Sequence, residues 1–141
     1  MSILLVDDEP RLREAIARSL TAHGHNVDQA ESCQEAVEAV GKVDYDLLCL
    51  DVNLPDATGW DVLRRLRAEG RSVPAVVFSA VPPSASRVRE FRPLGVLHKP
   101  FPIEALLRLV RQVVGSPDRS RSRSERGEQE EPAIARWLEL D

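Results

Sequence analysis

The chain has 141 residues, the size of one domain with or without a short tail. Hydrophobic residues make up 43% of it, enough for an ordinary core, which excludes disorder over the whole length. Its 19 basic residues are outnumbered by 23 acidic ones, for a net charge of −4. Proteins that grip nucleic acid by its phosphates usually carry a basic excess, so we expect no nucleic-acid partner.

Membrane insertion and disulfide scaffolding are also disfavoured. No apolar run approaches the roughly 18 residues that cross a bilayer, and the first residues lack the basic leader of a signal peptide. We therefore expect no membrane partner and a cytoplasmic location. Cys33 and Cys49 form neither a disulfide framework nor a metal-ligand spacing, and Cys49 lies in an apolar run typical of a buried strand.

Short apolar runs alternate with helical patterns over the first 115 residues. In chain order, the pattern predicts a strand at 3–6, a helix over 12–20, a strand at 25–30, a helix over 33–40, a strand at 47–50, a helix over 62–66, and strands at 75–78 and 95–97 before a helix over 103–114. Ser32 and Glu35 predict a capping box, and Gly24, Gly41 and Gly70 are expected to end helices. Trp60, at the start of a helix, is expected to be partly buried.

The spacing of apolar residues predicts which helix faces are buried. In the first helix the pattern marks Leu12, Ala15, Ile16 and Leu20, and in the last helix it marks Ile103, Leu106, Leu107, Val110, Val113 and Val114. Residues 81–94 are the weakest segment, because three prolines bracket it and only Val88 and Phe91 look inward. A helix there should be short.

Strand–helix repeats of this kind predict an α/β fold with a parallel sheet and helices on both faces. The strands are almost continuously apolar, as expected when both faces of a sheet are covered. In such a sheet ligands bind at the carboxyl ends of the strands, where this sequence places Asp7, Asp8, Asp51, Ser79 and Lys99.

These residue types suit phosphoryl chemistry. Clustered carboxylates repel one another unless protons or a cation intervene, and Mg²⁺ prefers such hard oxygen ligands. A serine hydroxyl and a lysine ammonium bind phosphoryl oxygens, so the site looks able to accept a phosphoryl group on a carboxylate. Each residue also has a plainer interpretation: Asp8 could cap the first helix, and Lys99 could be a solvated loop lysine.

Four pieces of sequence, in order and at these spacings, resemble the receiver domain of bacterial two-component response regulators, of the stand-alone, chemotaxis-regulator-like kind. The pieces are Leu5-Val6-Asp7-Asp8-Glu9, Asp51-Val52-Asn53-Leu54-Pro55 with Gly59 beyond it, Phe78-Ser79-Ala80, and Lys99-Pro100-Phe101. The resemblance implies a doubly wound, flavodoxin-like sheet of five parallel strands in the order 2-1-3-4-5. It covers residues 1–115.

The resemblance also implies a role for each matching residue. Asp51 would be the phosphoacceptor. Mg²⁺ would be held by Asp8, Asp51 and the backbone carbonyl of Asn53, with Asp7 acting through water. The phosphoryl group would be bound by Lys99, by the backbone of Ala80, and by Ser79, which would turn inward once the group is present.

The sequence departs from the family pattern before Lys99. Receivers usually carry Tyr or Phe at the position of Val96, and that aromatic side chain responds to phosphorylation. The segment from Ser79 to Lys99 is about two residues shorter than usual, which implies a reduced fourth helix. The output and dimerisation surface built by the fourth helix, fifth strand and fifth helix should therefore be unusual.

Composition changes after residue 115. Residues 116–132 alternate Arg with Ser and then turn acidic, which predicts a disordered charged linker, and residues 133–141 predict a short amphipathic segment with Ile134, Trp137 and Leu138 on one side. The arginine–serine run could be phosphorylated, bind an acidic surface or be only solvated. The terminal segment could fold back on the receiver or dock on a partner.

The leading hypothesis is a single-domain response regulator with Mg²⁺ as cofactor and without a DNA-binding domain. It would be a phosphoacceptor rather than a conventional enzyme. A histidine kinase or histidine phosphotransfer protein would supply the phosphoryl group, an unknown downstream protein would read it, and a homodimer is compatible with the resemblance. The sequence would equally fit an intermediate in a phosphorelay or a sink that drains phosphoryl groups from a kinase. The alternative is a phosphorylation-independent interaction module acting through the tail. A nucleotide-binding enzyme is disfavoured, because no Gly-rich loop follows the first strand.

Overall fold

Five strands alternate with five helices, and the computed structural model describes residues 1–114 of the chain. The elements are β1 (Ser2–Val6), α1 (Pro10–Ala22), β2 (Asn26–Ala30), α2 (Cys33–Lys42), β3 (Leu47–Asp51), α3 (Gly59–Ala68), β4 (Ala75–Ser79), α4 (Ala85–Phe91), β5 (Gly95–His98) and α5 (Ile103–Val114). The predicted order of strands and helices is confirmed. The predicted tail segments, 116–132 and 133–141 with Ile134, Trp137 and Leu138, lie outside the described residues.

The strands form one parallel sheet in the order β2-β1-β3-β4-β5. This is the order that the resemblance implies, so the doubly wound fold is confirmed. β3 and β4 are buried along their whole length, whereas β2 is mostly exposed. That difference follows from position, because β2 lies at the edge of the sheet.

Helices cover both faces of the sheet and make two apolar cores. α1 and α5 pack on one face, with Ile16, Leu20, Leu106 and Val110 in the core. α2 and α3 pack on the other face, with a core that includes Val37 and four further residues: Cys33, Ala36, Val40 and Leu66. Cys49 is fully buried between strands, and its burial raises the pKa of the thiol to about 12.

Two buried faces differ from the predicted ones. Ala17 of α1 is buried whereas Ala15 is exposed. In α5, Leu109 is buried and Val114 is 52% exposed, although the pattern omitted Leu109 and included Val114. Leu109 faces inward because Gly95 of β5 leaves room for it, and a Cβ at Gly95 would lie 2.7 Å from the Leu109 side chain.

Local hydrogen bonds explain where the helices start. The Ser32 hydroxyl accepts from the Glu35 N–H at 3.1 Å, but the Glu35 carboxylate accepts from Glu31 rather than from Ser32, so the predicted capping box is only half formed. A complete capping box instead joins Thr58 and Asp61 at the start of α3. Gly41 lies inside α2, which ends at Lys42, whereas Gly70 follows α3 with φ +74°.

A carboxylate from a distant loop also caps α2. Asp56, in the β3–α3 loop, accepts the backbone N–H groups of Cys33 at 2.9 Å and Gln34 at 3.0 Å. These are among the unsatisfied donors of a helix start, where negative charge is favourable. The loop that follows β3 is thereby fixed to α2.

α4 has seven residues, which confirms the predicted short helix. Val88 is buried, and Phe91 stacks on the buried Trp60 of α3 with ring centroids 5.6 Å apart. Arg67 lies over the Phe91 ring at 4.9 Å and donates to the Glu90 carbonyl. Within residues 1–114, no helix is long and apolar enough to cross a membrane.

Candidate functional site

Four adjacent strands bring polar side chains to one edge of the sheet. Asp7 and Asp8 follow β1, Asp51 ends β3, Ser79 ends β4, and Lys99 follows β5. Because the strands are parallel, their carboxyl ends lie at the same edge. All five predicted site residues therefore occupy the expected place in the fold.

Three carboxylates cluster at this edge. Oxygen atoms of Asp7, Asp8 and Asp51 lie within 4.8 Å of one another. Asp7 is fully buried and Asp51 is 4% exposed, whereas Asp8 is exposed. The cluster is therefore anchored in the sheet and open to solvent on the side of Asp8.

Lys99 joins the two buried carboxylates. Its Nζ donates to Asp7 Oδ2 and to Asp51 Oδ2, both at 3.0 Å, and lies 3.8 Å from Glu9 Oε2. Burial lowers the pKa of Lys99, but the hydrogen bonds and charges of Asp51 and Asp7 outweigh burial, so its pKa is raised. The ammonium is a structural part of the cluster, which contradicts the interpretation of a solvated loop lysine.

The surroundings of Asp51 raise the pKa of its carboxyl group. Burial is the largest cause of its raised pKa, and the Asp7 charge adds to it. Lys99 and the Asn53 N–H, which donates to Asp51 Oδ1 at 3.2 Å, act in the opposite direction. The net result is a carboxylate whose negative charge is not fully compensated by the protein alone.

The donor set fits a magnesium ion. Carboxylate oxygens on an exposed edge are the ligands that Mg²⁺ prefers, and the ion keeps several of its own waters. The uncompensated charge of the three carboxylates is the kind that a divalent cation neutralises. All three aspartates offer carboxylate oxygens, the Asn53 peptide lies beside Asp51, and Lys99 donates to one oxygen of Asp7 and one oxygen of Asp51.

Ser79 makes local hydrogen bonds. Its hydroxyl donates to the Val81 carbonyl and accepts from the Val81 N–H. Ala80 is exposed, and its carbonyl accepts from His98 Nε2 at 3.1 Å. The hydroxyl is thus occupied by the β4–α4 loop.

Val96 lies in the middle of β5, paired with Val77 of β4, and is 2% exposed. Leu97, the next residue, belongs to the core with α1 and α5. Because side chains alternate along a strand, Val96 faces the opposite side of the sheet.

Sequence reasoning missed three contributors to the site. Arg13 of α1 donates from Nη1 to the Asp7 carbonyl at 2.9 Å, Glu9 approaches Lys99, and His98 holds Ala80. His98 carried a signal as the neighbour of Lys99, and Glu9 stands in the first of the four matching pieces. The expectation that Asp8 could cap α1 is wrong, because Glu9 is the N-cap residue and no side chain caps that helix.

A family model decides the identity of this fold and site. The model of the response regulator receiver domain matches residues 3–111. The chain belongs to this family. Receiver domains accept a phosphoryl group from histidine kinases or phosphotransfer proteins and bind Mg²⁺ at their acidic pocket.

Curated relatives of this receiver are regulatory proteins. The probable transcriptional regulatory protein SilR of Salmonella typhimurium is 35% identical over 117 residues, which are 81% of this chain and 51% of SilR. The response regulator MprA of Mycobacterium leprae is 37% identical over 116 residues, with the same coverage. The chain thus spans about half the length of the curated relatives it matches.

Solved receivers share the fold closely. TrrA of Thermotoga maritima, solved in complex with Mg²⁺-BeF, has 28% identity and a TM-score of 0.70, with 79% of this chain and 97% of TrrA covered. The chemotaxis response regulator CheY4 of Vibrio cholerae has 27% identity and a TM-score of 0.72, with the same coverage. These likenesses support a receiver of ordinary architecture.

Proposed function

We propose that this receiver accepts a phosphoryl group on Asp51 in a Mg²⁺-dependent reaction and signals through protein contacts. The observation that carries the proposal is the bridge of Lys99 Nζ to both Asp7 and Asp51 at 3.0 Å, within a cluster of three carboxylates. A solvated surface would not hold these four charged groups together. A site for phosphoryl transfer needs them, because catalysis there rests on positioning and charge neutralisation.

The reaction follows from the chemistry of the groups. An oxygen of Asp51 forms a bond to the phosphorus of a phosphohistidine, and the P–N bond breaks. Its electron pair returns to the imidazole, which takes up a proton from solvent. Mg²⁺, held by Asp8, Asp51 and the Asn53 carbonyl, with Asp7 acting through water, would supply charge neutralisation at the phosphoryl oxygens.

The chain's own residues then hold the product. Lys99 is close enough to Asp51 to pair with a phosphoryl oxygen on it. Ala80 can donate its backbone N–H, and Ser79 can donate its hydroxyl once it leaves Val81. Val96, too small to act as the aromatic switch of other receivers, leaves the response to other groups.

The partners are proposed in the same terms. A histidine kinase or phosphotransfer protein is the donor, and a downstream protein is the reader. A cytoplasmic location and the absence of a nucleic-acid partner stay predictions. Action as a single-domain regulator also stays a prediction, because the match covers about half of the curated relatives, among them a probable transcriptional regulatory protein.

Intact mass after incubation with acetyl phosphate tests the proposal. We expect a gain of one phosphoryl group that requires Mg²⁺ and disappears in Asp51→Asn. Asp44→Asn, which changes an exposed carboxylate outside the site, is the matched control and should gain the group as wild type does.

A donor-independent arm uses beryllofluoride, a mimic of the phosphoryl group. Binding by isothermal titration should need Mg²⁺ and Asp51. A folded wild-type protein that neither gains mass nor binds beryllofluoride would overturn the proposal and favour the phosphorylation-independent interaction module.

A further inference from the structure

One peptide unit beside the site is hydrogen-bonded at both ends. The peptide between Ala80 and Val81 offers its carbonyl to His98 Nε2 at 3.1 Å and its N–H to the Ser79 hydroxyl at 3.2 Å. Because a carbonyl only accepts, the imidazole must carry its proton on Nε2. His98 and Ser79 are also paired across β5 and β4, so both anchors of this peptide belong to the rigid sheet.

We propose that His98 is a positioning residue that holds the β4–α4 loop in the arrangement that occupies Ser79. This inference rests on the proposed phosphoacceptor function. His98 acts through the Ala80–Val81 peptide, to which its Nε2 donates, and its effect is to oppose the movement that brings the Ser79 hydroxyl to a phosphoryl group.

The argument starts from the single proton of Ser79. A serine hydroxyl donates one hydrogen bond, and here it donates to the Val81 carbonyl. To donate to a phosphoryl oxygen it must release that carbonyl. If the Ser79 oxygen itself turns towards the phosphoryl group, the Val81 N–H, which now points at that oxygen, also loses its acceptor.

His98 makes this exchange harder. A peptide is a rigid plane, so fixing its carbonyl also fixes the direction of its N–H. Hydrogen bonds at the two ends of one peptide polarise each other and strengthen both. The imidazole therefore stabilises the orientation of the Val81 N–H that holds the Ser79 hydroxyl in place.

Beryllofluoride binding to the full chain tests this role. His98→Leu removes the donor but keeps a side chain of moderate size. We expect it to bind beryllofluoride about two- to tenfold more tightly in saturating Mg²⁺, the effect of one ordinary hydrogen bond. Its affinity for Mg²⁺ alone should stay unchanged, because the hydrogen bond that is removed goes to the Ala80 carbonyl, which is not one of the predicted metal ligands.

Two variants serve as controls. His98→Gln carries an amide N–H near the position of Nε2 and should restore wild-type affinity for beryllofluoride. His23→Leu removes an exposed histidine at the end of α1 whose Nδ1 bonds the Ser19 carbonyl, and it should behave as wild type. Urea unfolding establishes that each variant is folded, and His98→Phe replaces His98→Leu if the latter is not.

A second measurement needs no ligand. Amide exchange with water by NMR should rise at Val81 in His98→Leu and stay constant at Lys99, whose N–H bonds the Ser79 carbonyl in the sheet. Unchanged exchange at Val81, or beryllofluoride affinity that is unchanged or weaker, overturns the role of His98. Loss of Mg²⁺ and beryllofluoride affinity together would also overturn it, since it would indicate general damage. If wild type binds no beryllofluoride but Val81 exchange still rises in His98→Leu, the proposed function fails while the hydrogen-bond coupling stands.

Discussion

Gly59, the first residue of α3, allows the helix to start against the backbone of Asp51. A Cβ built at Gly59 would lie 2.5 Å from the Asp51 carbonyl oxygen and 3.1 Å from Leu50 Cγ. The nearest atom is backbone inside a fully buried strand, so it cannot move aside as the end of a side chain can. Gly59→Ala must therefore displace the start of α3.

The magnitude follows from three contributions. Forced overpacking costs about 1–3 kcal/mol. Displacement also weakens the 2.8 Å hydrogen bond from the Gly59 N–H to the Val52 carbonyl, at about 0.5–1.5 kcal/mol. The better helix propensity of alanine returns up to about 1 kcal/mol. These contributions sum to a net loss of about 0.5–4.5 kcal/mol in the free energy of unfolding, with a middle value of about 2.5 kcal/mol.

Gly41→Ala is the matched control. Gly41 lies inside α2, and a Cβ there would meet nothing within 4 Å. The same substitution should stabilise the protein by about 0.5–1 kcal/mol through propensity and chain entropy. Urea unfolding measures both, and Gly59→Ala should lower the midpoint by about 1–2 M. Equal midpoints for the two variants, or a Gly59→Ala protein as stable as wild type, would refute the reasoning about the Asp51 carbonyl.

Three further predictions concern charged groups, and urea unfolding across a pH series measures each. Asp51→Asn should stabilise the protein in the absence of Mg²⁺. Burial and the Asp7 charge raise the pKa of Asp51, which means that its negative charge is unfavourable in the folded protein. The gain in the free energy of unfolding should therefore disappear as pH falls below that pKa and Asp51 takes up a proton. An Asp51→Asn protein less stable than wild type at neutral pH would contradict this. Tyr45→Phe should cost about 1 kcal/mol, because the phenol donates to Asp28 Oδ2 at 2.6 Å. Burial and the Asp28 carboxylate raise the pKa of Tyr45. The contribution of the phenol to stability should therefore be complete below about pH 10 and be lost as pH rises further. A stability difference between wild type and Tyr45→Phe that stays constant up to high pH would argue against this hydrogen bond. Asp56→Ala should destabilise the protein near neutrality, because two backbone N–H groups of α2 lower the pKa of Asp56. The effect should be complete above about pH 4 and decline as pH falls further and the carboxylate takes up a proton, so a difference that does not change with pH would refute the charged cap.

Features determined by neighbouring residues could be predicted from the sequence. The fully buried strands are continuous apolar runs, and each of β1, β3, β4 and β5 meets a polar residue at or just after its carboxyl end. The parallel topology then brings Asp7, Asp51 and Lys99 together without further information. The short α4 could also be predicted from the sequence, because prolines limit where a helix can begin and end.

Features determined by distant contacts could not be predicted. Leu109 is buried because Gly95, on another element, leaves room for it. Asp56 caps a helix that begins 23 residues earlier in the chain, and Arg13 reaches the Asp7 carbonyl across a loop. The Thr58–Asp61 capping box did carry a local signal, a threonine followed three residues later by an acid, but turn residues around it obscured the pattern.

The first turn of α3 connects Asp51 to α4. Gly59 lies against the Asp51 carbonyl, and the next residue, Trp60, stacks on Phe91. A seven-residue helix is too short to be stable by itself, so α4 keeps its position through contacts such as this stack and the approach of Arg67. Gly59 and Trp60 are covalently joined, so any shift of the Asp51 backbone would press on Gly59 and, through Trp60, act on the stack that holds α4. The connection through Gly59 and Trp60 does not depend on the size of the side chain at Val96. α4 therefore stays in contact with the site although Val96 stands where receivers usually carry an aromatic residue.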